Sequence, residues 1–356
     1  PSIYLTHYLP SNRHRPQALN IHFNPRLDTF AVMIRAVFFG TAEIACPVLQ
    51  TLHDMREVQL QGIVTQPDRP QGRKLKLRAT PVKALALELG LPVWQPERIR
   101  KDPACLGELA AMDLDVMVVM AYGQLLPAAV LDLPLAGCVN IHTSLLPKYR
   151  GAAPIQWAIW NGDQISGATL MLMDEGMDTG PIISKKEVPI TAKTTALILH
   201  DQLAAAGSEL IRNDLEKYVQ GDLKPLPQIS AGASHARKIT KEDGFLDWTQ
   251  PASHLDRQVR ALSPWPGCST SFQYPDGKVE RLKVWETQPL PSQGSKPGEI
   301  MQADHKAFVV GTGQGSLRIL KLQRPGGKVL TADSFLIGSS FEKGDMLGLG
   351  PGKPSL

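Results

Sequence analysis

Met33-Ile34-Arg35-Ala36-Val37-Phe38-Phe39, closed by Gly40-Thr41, is the stretch on which the fold turns. Apart from Arg35 it is apolar throughout. A strand with one wet face would alternate, so this run predicts a strand covered on both sides. The residues after it change period. Glu43–His53 sets Val48, Leu49 and Leu52 on one helical face. Val58–Thr65 reads as a second strand, Pro81–Leu89 as a helix, and Asp115–Met120 and Cys138–His142 as further buried strands. Short apolar strands separated by helices predict an α/β domain with an open, mostly parallel sheet. Ligands of such sheets gather beyond the carboxyl ends of the strands. Gly40-Thr41, Ala121-Tyr122-Gly123 and Asn140–His142 are therefore expected along one edge.

Toward the N-terminus, residues 1–32 carry Arg13, Arg15, Arg26, four prolines and a single acid, Asp28. They are read as an extension without a core, disordered or non-native. Toward the C-terminus, a helix over Thr195–Val219 with a Leu199, Leu203, Leu210 and Leu215 stripe ends near Gly221, so the first domain is placed at 33–221. Residues 222–239, rich in Pro, Ser and Gly, read as a linker. Residues 240–343 hold short branched runs separated by turns such as Pro275-Asp276-Gly277, the pattern of a small β-barrel. Residues 344–356 read as a frayed Gly/Pro-rich tail.

The whole chain of 356 residues has a formal charge of +4, a mild basic bias that makes the location of charge more telling than its sum. It has no run of about 18 apolar residues that would suggest a membrane span. Cys46, Cys105, Cys138 and Cys268 show no paired spacing and no histidine pair has zinc-ligand spacing, so reduced thiols, a cytoplasmic location and no metal are expected. No coiled coil is evident, which makes a monomer the default.

Asn140 and His142 lie two apart at the end of a predicted strand and so share a face. An amide can hold a carbonyl oxygen as it turns negative, and an imidazole can move a proton. Each alone is weak, because a single histidine is most often structural. The loop Ser144-Leu145-Leu146-Pro147-Lys148-Tyr149-Arg150-Gly151 follows, then Pro154, a helix starter. Further on, Met173–Gly180 packs Asp174, Glu175 and Asp178 into a turn between two strands.

The segment Asn140–Pro154 with Asp178-Thr179-Gly180 resembles the signature of the folate-dependent formyltransferases, and the likeness spans nearly all of Met33–Phe341. The resemblance implies a Rossmann-like catalytic domain followed by an OB-like barrel. It implies catalytic roles for Asn140, His142 and Asp178, with 10-formyltetrahydrofolate as formyl donor and no metal. Asn140 would steady the oxyanion, His142 would share that task or carry a proton, and Asp178 would orient His142 or accept the amine's proton. Ser144, Leu145, Leu146 and Pro147, with Tyr122 and Gly123, would line the folate slot. Transfer would be direct, since Cys138 has no activating partner in the sequence.

Relatives that share this site use different acceptors, among them glycinamide ribonucleotide, sugar nucleotides and water. The loop Thr65–Arg78 carries Arg69, Arg73, Lys74, Lys76 and Arg78 against one acid, Asp68. Beside a catalytic edge such charge can meet phosphates. It resembles the tRNA-reading loop of the members that formylate methionyl initiator tRNA, with Arg73 at the important arginine and Lys74 departing from the usual glycine. With Pro and Gly through it, the loop is expected to have little structure before a partner arrives. Residues 237–343 add 15 Lys and Arg against 11 Asp and Glu. The resemblance there includes Trp248, Arg260 and Pro264-Trp265-Pro266, with Trp265 read as a structural aromatic in preference to one that stacks on a base. A sugar-nucleotide acceptor would not need the basic loop. A catalytically silent RNA-binding module would not need Asn140, His142 and Asp178.

Overall fold

The computed structural model describes residues 33–71, 76–291 and 296–348. The expectations for residues 1–32, for Arg73 and Lys74, and for the last residues of the tail lie outside them. In chain order the first half comprises β1 (Ile34–Gly40), α1 (Cys46–Asp54), β2 (Val58–Val64), β3 (Arg69–Gln71), β4 (Lys76–Arg78), α2 (Pro81–Glu88), β5 (Val93–Trp94) and α3 (Pro103–Ala110). It continues with β6 (Val116–Met120), α4 (Ala128–Leu131), β7 (Cys138–His142), β8 (Arg150–Gly151), α5 (Pro154–Asn161), β9 (Ile165–Leu172), β10 (Ile182–Pro189) and α6 (Ala196–Val219).

Seven of these strands form one sheet in the order β10-β9-β7-β6-β1-β2-β5. β5, β2, β1, β6 and β7 run parallel, and β9 and β10 add an antiparallel edge. The period of two sorts side chains onto two cores. Ala36, Phe38, Val116, Val118, Met120, Val139 and Ile141 face α1 and α6. Val37, Phe39, Met117, Val119 and Cys138 face the layer that holds Ile99, Leu109 and Val130. Both faces being dry is why these strands lack polar alternation.

Local chemistry sets the helix ends. Thr80 Oγ1 accepts the Lys83 N–H at 3.1 Å, with Pro81 opening α2, and Thr195 Oγ1 accepts the Ile198 N–H at 3.3 Å to start α6. The helix expected from Glu43 begins as a 3-10 turn, Glu43–Ala45, and becomes α-helical at Cys46, with Pro47 in the first turn, where its missing N–H costs nothing. On α6, a Cβ at Gly207 would sit 2.9 Å from Ile141 Cγ2, so the absence of a side chain lets the helix lie close upon β7.

The second half comprises β11 (His235–Ala236), α7 (Ala252–Leu262), β12 (Cys268–Gln273), β13 (Val279–Leu290), β14 (Ile300–Ala303), β15 (Phe308–Gly311), β16 (Ser316–Gln323), β17 (Val329–Thr331) and α8 (Ala332–Leu336). Its antiparallel sheet has the order β12-β13-β16-β15-β14, with β17 also on β16. Residues 344–348, expected in a frayed tail, bridge its two edges. The Leu347 N–H donates to Gly298 O and the Gly348 N–H to Ser271 O, each at 2.8 Å. Unpaired edge groups of β12 and β14 supply the partners that a Gly-rich composition does not reveal. Trp265 is 54% exposed, which differs from the structural aromatic expected, whereas Trp248 is buried with its Nε1–H on Thr270 Oγ1 at 2.9 Å.

Candidate active site

β7 ends at the sheet edge between β6 and β9, and Asn140 and His142 share the face of Cys138. Asn140 is half-buried, and among the described residues its carboxamide has no hydrogen-bond partner. His142 is buried, with Nε2 2.9 Å from Tyr149 O. A carbonyl only accepts, so Nε2 carries a proton. With Nε2 so engaged, the neutral form of the ring would present the Nδ1 lone pair on its other side. That atom is 3.6 Å from Asp178 Oδ1, beyond hydrogen-bond length. A lone pair facing a carboxylate at this distance is a place for one more proton.

Asp178 lies in the turn between β9 and β10 and is itself in the left-handed region, φ +55°. That conformation costs a non-glycine residue free energy and persists only where neighbours hold it. The Gly151 N–H donates to Asp178 Oδ2 at 2.7 Å. The Gln228 amide donates to the carbonyls of Asp178 and Gly180, each at 2.8 Å. Gly180 is obligatory here, since a Cβ would lie 1.9 Å from Leu172 O. Left-handed backbone recurs around the site at Ala121 (φ +48°) and Tyr149 (φ +62°).

The Ser144–Pro147 loop is pinned from β9 and β10. Thr169 Oγ1 donates to Ser144 O at 2.6 Å and accepts the Leu146 N–H at 3.1 Å, and Lys185 Nζ donates to Leu146 O at 2.5 Å. Thr169 is the β9 partner of His142, so one register fixes loop and histidine together. Among the expected folate contacts, Ser144 and Leu146 are buried. The Ser144 hydroxyl donates to Lys148 O at 2.6 Å. Leu145 packs over Gly167, whose Cβ would meet it at 2.5 Å, and Pro147 is half-buried. The Tyr122 ring lies in the core, edge-on to Phe39 at 5.3 Å, where burial pushes its phenol up. What Tyr122 offers the edge is its carbonyl, held by Thr41 Oγ1 at 2.8 Å and Gln66 Nε2 at 3.3 Å. Gly123 is exposed at φ +88°. Any slot here is thus walled by backbone more than by the side chains of Tyr122, Ser144 and Leu146.

Thr169, Lys185 and Gln228 escape a reading of the sequence, because their partners are 23 to 78 residues away in the chain. Cys138 is no nucleophile. It is buried against Met117 Sδ and the Val130 carbonyl, and burial pushes its thiol up to about 12.

The basic loop has a structured root, which differs from the expectation of little structure. β3 pairs with β4 as a short hairpin. Asp68 is clamped by Lys83 Nζ and Gln95 Nε2, each at 2.7 Å, and these hydrogen bonds hold its carboxyl below the usual range. Arg69 is paired with Glu97 at 2.7 Å, whereas Lys76 and Arg78 are exposed with no ion pair among the described residues. On the second sheet a cavity of about 450 Å³ is lined by Lys306, Arg318, Lys321, Glu286 and Asp333 among others, with Lys321 already on Glu286 at 2.7 Å. Among the described residues no cluster of His, Cys, Asp and Glu could hold a metal ion, and no helix is long and apolar enough to cross a membrane.

Residues 34–215 match the family described as formyl transferase, and residues 238–340 match the formyl transferase C-terminal domain. A methionyl-tRNA formyltransferase from Synechococcus sp. (strain JA-3-3Ab) is 46% identical over 315 residues, covering 87% of this chain and 97% of that protein. Another, from Caldanaerobacter subterraneus subsp. tengcongensis, is 42% identical over 314 residues, covering 88% and 100%. Among solved structures, the N-formyltransferase from Helicobacter canadensis, in complex with folinic acid and dTDP-3-aminofucose, superposes with a TM-score of 0.60 at 16% identity, over 82% of this chain and 100% of that one. HypX from Aquifex aeolicus, in complex with tetrahydrofolic acid, gives 0.53 at 18% identity, over 90% and 51%. At such identities these two likenesses speak for the fold alone. Taken with the sequence matches across both halves, they leave one conclusion: the chain belongs to the formyl transferase family, among the methionyl-tRNA formyltransferases.

Proposed function

We propose that this protein transfers the formyl group of 10-formyltetrahydrofolate to the α-amino group of methionyl initiator tRNA in the cytoplasm, directly and without a covalent enzyme intermediate. The observation that carries the chemistry is His142 Nδ1 facing Asp178 Oδ1 at 3.6 Å, on the strand that also presents the Asn140 amide, which has no partner among the described residues.

The neutral amine of the methionyl group attacks the formyl carbon. The C=O electrons move to oxygen, and the Asn140 N–H groups donate to the oxyanion. The attacking nitrogen gives up a proton to the His142–Asp178 pair. Nδ1 is the accepting atom, because Nε2 is already protonated and engaged with Tyr149 O. Asp178 then offsets the imidazolium charge. The oxyanion's electron pair re-forms the C=O as the bond from carbon to N10 breaks; that bond's electron pair stays on N10, and that nitrogen takes up the proton. The products are tetrahydrofolate and formylmethionyl-tRNA. The folate is proposed to lie along Ser144–Pro147 and Tyr122–Gly123, mainly against backbone groups. Arg69, Arg73, Lys74, Lys76 and Arg78 are proposed to meet tRNA phosphates, with Lys76 and Arg78 ready and Arg69 first leaving Glu97.

Formylation of charged initiator tRNA by the purified protein, with a UDP-amino sugar and buffer as alternative acceptors, tests the reading. Methionyl-tRNA is the acceptor expected, and formylation of the sugar alone would overturn the proposal. His142→Ala is expected to abolish turnover and leave tRNA affinity nearly unchanged.

A further inference from the structure

The composition of residues 222–239 predicts no more than a connection between the two halves, yet this segment is bound into the site. β11 pairs in parallel with β8. The Arg150 N–H donates to Ser234 O and the Ala152 N–H to Ala236 O, each at 2.8 Å. Ser234 Oγ accepts the Tyr149 N–H at 2.9 Å, and Tyr149 O is the carbonyl that accepts the hydrogen bond from His142 Nε2–H.

Gln228 is the centre of this strap. Its side-chain nitrogen donates to Asp178 O and Gly180 O, each at 2.8 Å. Its side-chain oxygen accepts from Arg150 Nε at 3.1 Å and from the terminal nitrogen at 2.7 Å. The primary amide thus uses both donors and both lone pairs on two loops. One is the turn that holds Asp178 in left-handed backbone. The other is the loop whose Gly151 N–H grips the Asp178 carboxylate. No other proteinogenic side chain of that length offers two donors and one double acceptor.

We infer that Gln228 is a positioning residue: it fixes the Asp178 backbone and the Arg150-Gly151 loop together, and so sets the carboxylate against His142 Nδ1. This rests on the reading of Asp178 as a participant in formyl transfer. Losing the two donors releases the turn toward ordinary backbone and moves the carboxylate away from the imidazole. Misplacement on the order of 1 Å can cost about a hundredfold in rate.

The test measures steady-state formylation of methionyl-tRNA by Gln228→Ala and Gln228→Glu. Glu keeps the acceptor for Arg150 and removes both donors. Both variants are expected to lose about ten- to a hundredfold in kcat, with KM for folate and for tRNA within about twofold and far-UV circular dichroism unchanged. Equal losses in the two variants locate the effect in the donors to Asp178 and Gly180. Full activity in Gln228→Glu, or a loss confined to KM, would overturn the inference. A second measurement is a cycle with Asp178→Asn, read by single-turnover formation of product. A residue acting only through Asp178 costs little once Asp178 is gone, whereas a general structural role costs the same in both backgrounds. Inactivity of the wild-type protein toward methionyl-tRNA would instead count against the functional reading, so the two failures are distinct.

Discussion

Among the described residues the Asn140 carboxamide has no hydrogen-bond partner. Its neighbours on the same face, Cys138 and His142, are buried and committed to protein partners, while its own amide is not. A polar group left unpaired at a strand end is consistent with a donor reserved for a transition state. Asn140→Ala is expected to lower kcat by about a hundred- to a thousandfold, with thermal stability within about 0.5 kcal/mol of wild type because no protein hydrogen bond is lost. Steady-state rates and a denaturant titration check both halves, and an unchanged kcat would remove Asn140 from the chemistry. At this scale the sequence was legible where residues are near neighbours. Asn140 and His142 are two apart on a strand, and the strand period puts them together. Asp178 was placed only by resemblance, since no local rule brings it to His142 across 36 positions.

The element that governs the proposed folate wall is the pair β9–β10, which lies outside the motif itself. Thr169 joins the Ser144 carbonyl to the Leu146 N–H, and the hydroxyl is buried. Thr169→Val keeps the shape and leaves a buried donor and a buried acceptor without partners, at a cost of about 2 kcal/mol. Loosening of the loop is expected to raise KM for the folate donor several-fold and leave KM for tRNA unchanged. Substrate titrations and a melting curve decide it, and an unchanged folate KM would separate this loop from the donor slot. Element types and order were readable along the chain because period and length distinguish helix from buried strand. The hairpin at the root of the basic loop was not, since its strands are only three residues long and Lys76-Leu77-Arg78 buries no face. Their pairing comes from the clamps on Asp68 and Arg69 that close the root.

Across the whole molecule, α5 and α7 join the two halves. Arg257 Nε donates to Trp160 O at 3.0 Å, and Arg260 reaches Thr194 O at 2.8 Å while held by Asp256. Trp160 Nε1–H donates to His254 Nε2 at 3.0 Å. Indole nitrogen is a donor only, so His254 must be neutral there. Burial first, and then the Arg257 charge, lower its pKa against an opposing pull from Asp247. A lowered folded pKa means the unfolded chain binds the proton more tightly. The stability from this contact is therefore complete above about pH 6.5 and is lost as pH falls from there through the folded pKa. His254→Gln is expected to flatten the fall in melting temperature below pH 6.5 by about 1–3 °C. Scanning calorimetry of both proteins from pH 7.5 to about pH 5 checks it, and parallel curves would exclude His254 as the titrating link.

Period, capping residues and turn chemistry are local properties, so the chain by itself determined the doubly covered parallel sheet, the helix starts, the β-rich second half and the Asn140–His142 face. Three things were decided only by the tertiary structure. Tyr122 turns its ring into the core, where Phe39 and the surrounding apolar side chains cover it although its buried hydroxyl has no partner among the described residues. Residues 344–348 close the second sheet because its edge strands need partners. The strap through Gln228 forms because Asp178 and Arg150, far apart in sequence, come within reach of one amide. Each depends on hydrogen bonds or burial between distant segments, and no local pattern of residues encodes such a meeting.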